Sequence, residues 1–536
     1  MWTQTIDPFG ILWLSALVAA VPIIVFLLCL VLLKLTGIVA AGIALLVEVV
    51  VALVVFGMPA GAVAGAGLLG FLTSIWPIAF IIVMSVWLYK LAVASGQFDV
   101  IRSSIALISP DQRIQVLLIS FAFGAFLEGV AGFGVPIAIC AAMLVQLGFK
   151  PIKAAMLSLV ANFAAGAYGA VGIPVIVGAQ VGGIDVMDLS RMLVFIQQPL
   201  TLLIPFLLVV ILDGWRGLRE TWPATVALTL VFSATQSGVL LFLGPELAAI
   251  APGLLGMLAL AALRLVWQPK HIFHEAGAQD VTLERHTPRQ VVAAWSPFYI
   301  LTAFVFAWST PWFKGLFLPD GPLGWAVLSL PIPGVTGEIT TAGGALVEST
   351  WAWTPLNATG TAILLAVIVT CLTTRNLTVS IAVHQLRITL RELWRALLLI
   401  SIILVLANIA NLSGGSASIG NALSSAGPLF PLFAPIIGWI GVFLTGSVVN
   451  NNTLFAQLQA TTAGRIGVDP TLLVAANTAG GAAAKVISPQ SIAIAAGAVG
   501  LSGRESEILR ASIFYSLGML AFLSVWTLVL SFIVPS

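Results

Sequence analysis

Charge is what this chain of 536 residues has least of: Asp, Glu, Lys and Arg together make up 8%, where a soluble domain carries about 25%. With 60% hydrophobic residues, such a chain reads as a polytopic membrane protein embedded in a lipid bilayer. Its net charge of +2 offers no basic field for nucleic acid. Cysteine is scarce too. Cys29, Cys140 and Cys371 lie in separate apolar runs, so neither a disulfide framework nor a thiolate metal site is expected. The dipeptide Gly-Lys never occurs, which removes the Walker A motif and with it direct use of ATP. No basic segment precedes the first apolar run, and no cleaved signal peptide is expected. Three of the 4 histidines, His271, His274 and His286, fall in one polar stretch, 270–290. Ala278 stands where a zinc-binding HExxH would need its second histidine. That stretch is expected to be a solvated loop, and no metal or cofactor is expected.

Long apolar runs are what the chain has in abundance. Runs of about 20 residues mark spans at 11–33, 37–57, 75–94, 154–179, 193–212, 224–243, 247–266, 291–307, 358–373, 396–412, 471–499 and 509–534. Two further apolar stretches, 114–149 and 430–463, are about 35 residues each, or ~52 Å as helix. That is too long for one crossing of a ~30 Å hydrocarbon core and too short for two. Each is interrupted at its centre, by Glu128-Gly129-Val130-Ala131-Gly132-Phe133-Gly134 and by Gly446-Ser447-Val448-Val449-Asn450-Asn451-Asn452. A re-entrant hairpin, entering and leaving by one face, fits both. Positive charge supports the count, because Lys and Arg gather on the cytoplasmic side. With twelve crossings and two hairpins, 18 of the 22 Lys and Arg share one face. Arg191, Lys314 and Arg465 take the other, and Lys485 is left within the membrane. Both termini are then external. The first hairpin enters from the cytoplasm and the second from outside.

Opposite entry is the mark of an inverted repeat. Phe126-Leu127-Glu128-Gly129 matches Phe443-Leu444-Thr445-Gly446, and 161–174 aligns with 476–489 without a gap, sharing Asn162 with Asn477 and Pro174 with Pro489. The expected fold is therefore an all-α polytopic membrane protein, an inverted-repeat transporter with about 12 crossings, two re-entrant hairpins and two broken helices. It divides as 1–212 (hairpin 114–149, broken helix 154–179), 213–357 (connecting spans and loops, including a long external loop at 309–357) and 358–536 (hairpin 430–463, broken helix 471–499).

The stretch 475–495 concentrates the chemistry. It is apolar enough for a membrane, yet holds Asn477, Thr478, Lys485, Ser488 and Gln490 beside Gly480, Gly481 and Pro489. Ionisable residues inside a span are costly and point to function. Glycine and proline break the helix and free backbone groups for a ligand. Lys485 brings one positive charge, enough for one carboxylate. Glu128 is the only acid at a hairpin tip, and it is either a proton carrier or the partner of Lys485. Gly132 and Phe133 at the first tip let backbone approach a small ligand. Asn450, Asn451, Asn452 and Thr453 give the second tip neutral donors and acceptors. Asn162 and Asn477 precede the breaks, where an Asn side chain either holds freed backbone or touches substrate. Glu48 is a further acid at mid-span, with packing and proton transfer both open to it. Lys485 and Ser488, spaced i, i+3, also allow an intramembrane hydrolase. An anion channel is the third alternative.

Several longer stretches carry a resemblance: Ser95–Ser104 (SGQFDVIRSS), 124–136, Asp213-Gly214-Trp215-Arg216-Gly217, Ala358-Thr359-Gly360-Thr361-Ala362, Phe443–Gly446 and Ile487–Ala495 (ISPQSIAIA). In these the chain resembles the bacterial L-lactate permease family, from Asp7-Pro8 to the C-terminus. The resemblance implies a multi-pass transporter of the bacterial inner membrane that imports lactate and glycolate with protons. It also implies a plan similar to the broader ion-transporter superfamily, with paired hairpins and broken helices. There is one departure. After Thr445-Gly446-Ser447 the family pattern runs Asp-Thr-Ser-Ser-Asn, and here it reads Val448-Val449-Asn450-Asn451-Asn452. The missing acid bears on the coupling ion and leaves Glu128 as the candidate.

Overall fold

A computed structural model describes residues 1–275 and 285–534. The chain is mostly helical. Eight helices among the described residues are long and apolar enough to cross a membrane, or nine if the pair Pro288–Ala294 and Ser296–Ser309, bent by 48° at Trp295, counts as one. Among the described residues four short strands sit outside the helices: Trp2–Thr3 runs parallel to Ile339–Thr340, and Leu328–Pro331 pairs antiparallel with Thr350–Trp353. The first pair fastens the N-terminus to the loop between the spans ending at Ser309 and starting at Thr359.

Several expected spans are redrawn. Ala60–Thr73 is helical and runs into Phe80–Ala94 through a kink at Trp76, where only 75–94 was expected. Gly61, Gly65, Gly67 and Gly70 dilute its hydropathy, but two of them have packing reasons. A Cβ on Gly65 would fall on the Pro333 carbonyl, and one on Gly70 would lie 2.8 Å from the Val405 Cα. The spans expected at 193–212 and 224–243 belong to one helix, Val186–Phe242, bent only at Asp213–Gly214. Val379–Ser413 extends the span at 396–412 by almost five turns, with Arg387, Arg391 and Arg395 on the added part. The span at 247–266 shortens to Ile250–Leu263.

Both long apolar stretches fold back on themselves. In the first, Gln112–Val130 climbs and Val135–Gln146 returns. Gln112 Nε2 donates to Leu147 O at 3.0 Å and Cys140 Sγ to Ile119 O at 3.1 Å, so the two limbs are antiparallel and their open ends adjacent. The rising limb is wholly buried in protein, as a segment that never faces lipid must be if it carries Glu128. In the second, Phe430–Thr445 and Val448–Ile466 pair the same way, with Gln459 Nε2 on Ala434 O at 3.2 Å. Each hairpin is followed by a broken helix. The first is Pro151–Ala161, Phe163–Gly166 and Gly169–Gly182, with Ala170, Val171 and Gly172 in the left-handed region. The second is Pro470–Lys485 and Pro489–Ala498. At the alignment offset of 315, the two breaks coincide to within a residue.

The base of the first hairpin is closed by a charge cluster. Arg113, 1% exposed, pairs with Asp111 (2.7 Å), Asp213 (2.9 Å) and Glu220 (2.8 Å), and donates to His271 O at 2.7 Å. Glu275 receives Lys153 at 2.9 Å and the Lys150 backbone N–H at 2.9 Å, and is itself buried. The stretch expected to be a solvated loop is thus docked at 271–275. The reason is that a buried arginine facing three carboxylates needs its guanidinium fork filled on every side. His286 lies within 3.4 Å of Ser103 Oγ, and 276–284 fall outside the described residues.

The second hairpin and its broken helix pack through small residues. A Cβ on Gly438 would fall on Asn477 O, and one on Gly480 on Pro435 O. Close backbone approach of this kind is how helices associate where lipid removes the hydrophobic drive.

Two outcomes follow from this packing. Pro110→Cys and Lys150→Cys, both at exposed positions beside the hairpin base, should react with an impermeant maleimide from the same side of the membrane. Labelling from opposite sides would mean that 112–147 crosses. Gly480→Ala should cost roughly 1–3 kcal/mol or more by overpacking, seen as a lower melting point in detergent, whereas Gly497→Ala, with nothing within 4 Å of its Cβ, should not. Equal melting points for the two variants would contradict the close helix contact.

Candidate functional site

A cavity of about 110 Å³ lies where the two hairpin tips meet the two breaks. That is room for several waters or a small organic acid. Its floor is the first tip, Gly132, Phe133 and Gly134. The second tip contributes Thr445 to Asn450. Ala170, Ile173 and Pro174 come from the first break, Lys485, Gln490 and Ser491 from the second, and Ala396, Leu399 and Ile400 from the long helix Val379–Ser413. The breaks and tips exist because glycine and proline sit there. Gly132, Gly134, Gly172 and Gly446 all have positive φ, which costs glycine little, and Pro489 withholds the N–H that would have continued its helix.

Four helices start at this cavity. Val135–Gln146 begins after Gly134, Val448–Ile466 after Ser447, Pro489–Ala498 after Ser488, and the helical part of Gly169–Gly182 after its left-handed turn. Each directs N–H groups and a partial positive charge inward. Lys485 adds a full one, from the last turn of Pro470–Lys485, where the helix dipole favours a cation. The cavity wall therefore carries the polarity that favours an anion.

One anion is already there. Lys485 Nζ lies 2.5 Å from Glu128 Oε1, and the two are 8% and 1% exposed. Glu128 comes from the first hairpin and Lys485 from the second broken helix, so the pair joins the repeats. Asn162 Nδ2 donates to Glu128 Oε2 at 2.9 Å. Glu128 lies two residues from the C-terminal end of its helix, Gly124–Val130, where a negative charge is unfavourable. It depends on these two partners. Gly166 and Gly169 leave the room: a Cβ on Gly169 would lie 2.5 Å from Glu128 Oε1, and one on Gly166 3.5 Å from Lys485 Cδ.

Most of the expected site residues fall into two groups, with Thr453 and Ser488 in neither. Glu128, Gly132, Phe133, Asn450 and Lys485 line the cavity, with Asn162 behind Glu128. Asn451, Asn452, Asn477 and Thr478 do not line it and form a second, fully buried network. Asn452 Nδ2 donates to Thr478 Oγ1 (2.9 Å) and, across to the first repeat, to Pro174 O (2.8 Å). Asn477 Nδ2 donates to Asn452 Oδ1 at 3.0 Å, and Asn451 Nδ2 to Asn477 O at 3.4 Å. Thr453 Oγ1 bonds back to Val449 O at 2.9 Å. Ser488 caps its helix, accepting from Ser491 N at 3.3 Å and donating to Ser491 Oγ at 2.9 Å. Its hydroxyl is bonded to Ser491 and the Lys485 amine to Glu128, with no hydrogen bond between the two, so the nucleophile and base of a hydrolase are not assembled. Glu48 is buried in a different part of the molecule and does not line the cavity.

Sequence reasoning passed over Thr445, Ser447, Ser491 and the wall formed by Ala396, Leu399 and Ile400. The offset that aligned the two breaks also placed Ser491 next to the second one, which is a signal that was available. Nothing in the apolar run at 396–412 marked the face turned to the cavity.

The family model for L-lactate permease matches residues 15–534. The L-lactate permease of Halalkalibacterium halodurans is 47% identical over 535 residues, covering 99% of both chains. That of Escherichia coli is 45% identical over 533 residues, 96% of both. The glycolate permease GlcA of Escherichia coli is 43% identical over 551 residues, covering 99% of this chain and 98% of its own. Among solved structures the chain is similar to the YdaH transporter of Alcanivorax borkumensis, at a TM-score of 0.46 and 15% identity over 87% of both chains. A permease rather than an enzyme, multi-pass in the bacterial inner membrane, the chain belongs to the L-lactate permease family.

Proposed function

We propose that the chain imports small 2-hydroxymonocarboxylates, lactate and glycolate, by proton symport, with Lys485 as the carboxylate anchor and Glu128 as the proton carrier. The observation that carries this reading is the Lys485–Glu128 pair, 2.5 Å apart on the wall of a cavity shared by both repeats. Relatives named as lactate and glycolate permeases support the substrate class.

The proposed cycle follows from charge. In the empty protein each member of the pair neutralises the other. An arriving carboxylate meets four helix N-termini and competes for Lys485. Glu128 then keeps only Asn162, in a low-dielectric site at the negative end of its helix. A carboxylate so placed is costly, and taking up a proton removes the cost. Substrate and proton are bound together because neither charge change is tolerable alone. Asn451, Asn452, Asn477 and Thr478 tie the second hairpin to Pro174 of the first repeat and serve as the joint around which the repeats are held in register.

Glu128→Gln tests the coupling. The variant should still bind lactate and exchange it across reconstituted vesicles, but should no longer accumulate it under an imposed pH gradient. Full gradient-driven uptake would place the proton elsewhere. Loss of exchange in a folded variant would make Glu128 structural or a direct ligand. Size and charge of substrate give a second test. Lys485 is the only Lys or Arg on the cavity wall among the described residues, so a second carboxylate would lie unpaired, at a cost of several kcal/mol. Succinate should compete with labelled lactate at least roughly a hundredfold more weakly than lactate does. Equal competition would mean that a second cation takes part.

A further inference from the structure

Most polar side chains on the cavity wall are already engaged. Lys485 and Glu128 hold each other at 2.5 Å. Thr445 Oγ1 donates to Gly441 O at 2.7 Å, Ser447 Oγ accepts from Asn450 N at 3.3 Å, and Ser491 Oγ accepts from Ser488 Oγ at 2.9 Å. Gln490 has no partner among the described residues, but it is exposed and open to solvent. Asn450 is different. It lines the cavity, it is 3% exposed, and its Oδ1 is buried with no hydrogen-bond partner. Its amide nitrogen makes no hydrogen bond to the described residues either.

A buried amide acceptor without a donor is destabilising, and one on a residue that lines a cavity is open to a partner that the cavity holds. The partner must carry a donor and must fit beside a bound anion, because the same wall holds Lys485 and the helix N-termini. A hydroxyl on the carbon next to a carboxylate meets both demands. An unsubstituted acid or a 2-oxo acid does not, since neither has a donor there. Asn162 Oδ1, Asn451 Oδ1 and Gln459 Oε1 are also buried and unpaired, but none of these three residues lines the cavity.

Resting on the reading of the cavity as a carboxylate site, we infer that Asn450 is the specificity-determining residue for the 2-hydroxyl: its side-chain amide, with no partner to hold it, turns over to bring Oδ1 from its buried position to the cavity, where it accepts the substrate hydroxyl proton while the carboxylate is held by Lys485. Asn450 stands in the first turn of Val448–Ile466, so this bond also ties the second hairpin tip to the substrate. A 2-hydroxy acid then holds the tip of one repeat and the cation after it, and an acid without the hydroxyl holds only the cation.

The experiment is counterflow of labelled L-lactate in vesicles reconstituted with the full chain, competed by L-lactate, glycolate, propionate, acetate and pyruvate. In the unaltered protein, lactate and glycolate should compete roughly ten- to hundredfold better than propionate, acetate and pyruvate. Equal competition overturns the inference without any variant. Asn450→Ala should bring lactate down to the level of propionate, with the loss falling on the hydroxy acids, and Asn450→Ser should recover part of the preference. If Asn450→Ala weakens all the acids equally, or none, a water fills the site and Asn450 does not read the hydroxyl. Should Asn450→Ala fail to fold, Asn450→Ser and the unaltered protein still decide the matter. If the unaltered protein moves no 2-hydroxy acid at all, it is the transport reading that fails rather than the role of Asn450.

Discussion

A lysine and a glutamate facing each other inside a membrane constrain everything around them. Each alone would be prohibitively costly in hydrocarbon, and even paired they gain only if the surrounding hydrogen bonds are complete. The fold meets this demand with particular residues. Glu128 rides on a hairpin limb that is wholly protein-covered. Its second oxygen is held by Asn162. Lys485 occupies the end of a helix that favours a cation. Gly166 and Gly169 remove side chains that would push the two apart. Replacing the pair by apolar residues would remove the cost of burying charge, so its presence argues for use rather than for stability.

The neutral network around Asn452 complements the charged pair. Both join the first repeat to the second, one through Lys485 and Glu128, the other through Asn452 and Pro174. In the proposed cycle they differ in what a substrate does to them. The charged pair lines the cavity and is open to competition from an anion. The amide network is buried, largely self-satisfied and out of reach. A transporter needs one contact that ligand can break and another that it cannot, and these two have the chemistry for those roles.

Much of this plan was legible in the sequence, for physical reasons. Hairpins could be read because 35 apolar residues fit neither one crossing nor two, and breaks because glycine and proline interrupt a helix whatever its surroundings. The pairing of Lys485 with Glu128 could be read because the mid-membrane holds few other charges. What stayed hidden is equally physical. The helix Pro470–Lys485 is buried on all sides from Leu472 onward, so no polar face distinguishes the residues turned to the cavity from those turned to Asn452, and Asn477 and Thr478 read like substrate ligands. Ala60–Thr73 was missed because its glycines, which allow contact with Pro333 and Val405, also lower its hydropathy. The docking of 271–275 on the hairpin base was invisible because it is set by Arg113, Asp111, Asp213 and Glu220, brought together from distant parts of the chain.

Val448 shows how the charge balance is set in this chain. It packs with Val442 and Ala484, next to Lys485. An acid at that position would place a second negative charge beside the same lysine, and the empty cavity would carry a surplus anion. With valine there, Lys485 and Glu128 cancel. In the proposed loaded state a charged lysine, a protonated glutamate and a carboxylate also sum to zero. The two states that must rearrange within the bilayer thus have the same net charge, and neither exposes an uncompensated ion to low dielectric. A half-loaded cavity, with substrate bound and Glu128 ionised, carries an excess negative charge and is the one state this arrangement disfavours. Coupling, on this view, needs no gate that senses the proton. It follows from which charge states can be buried at all.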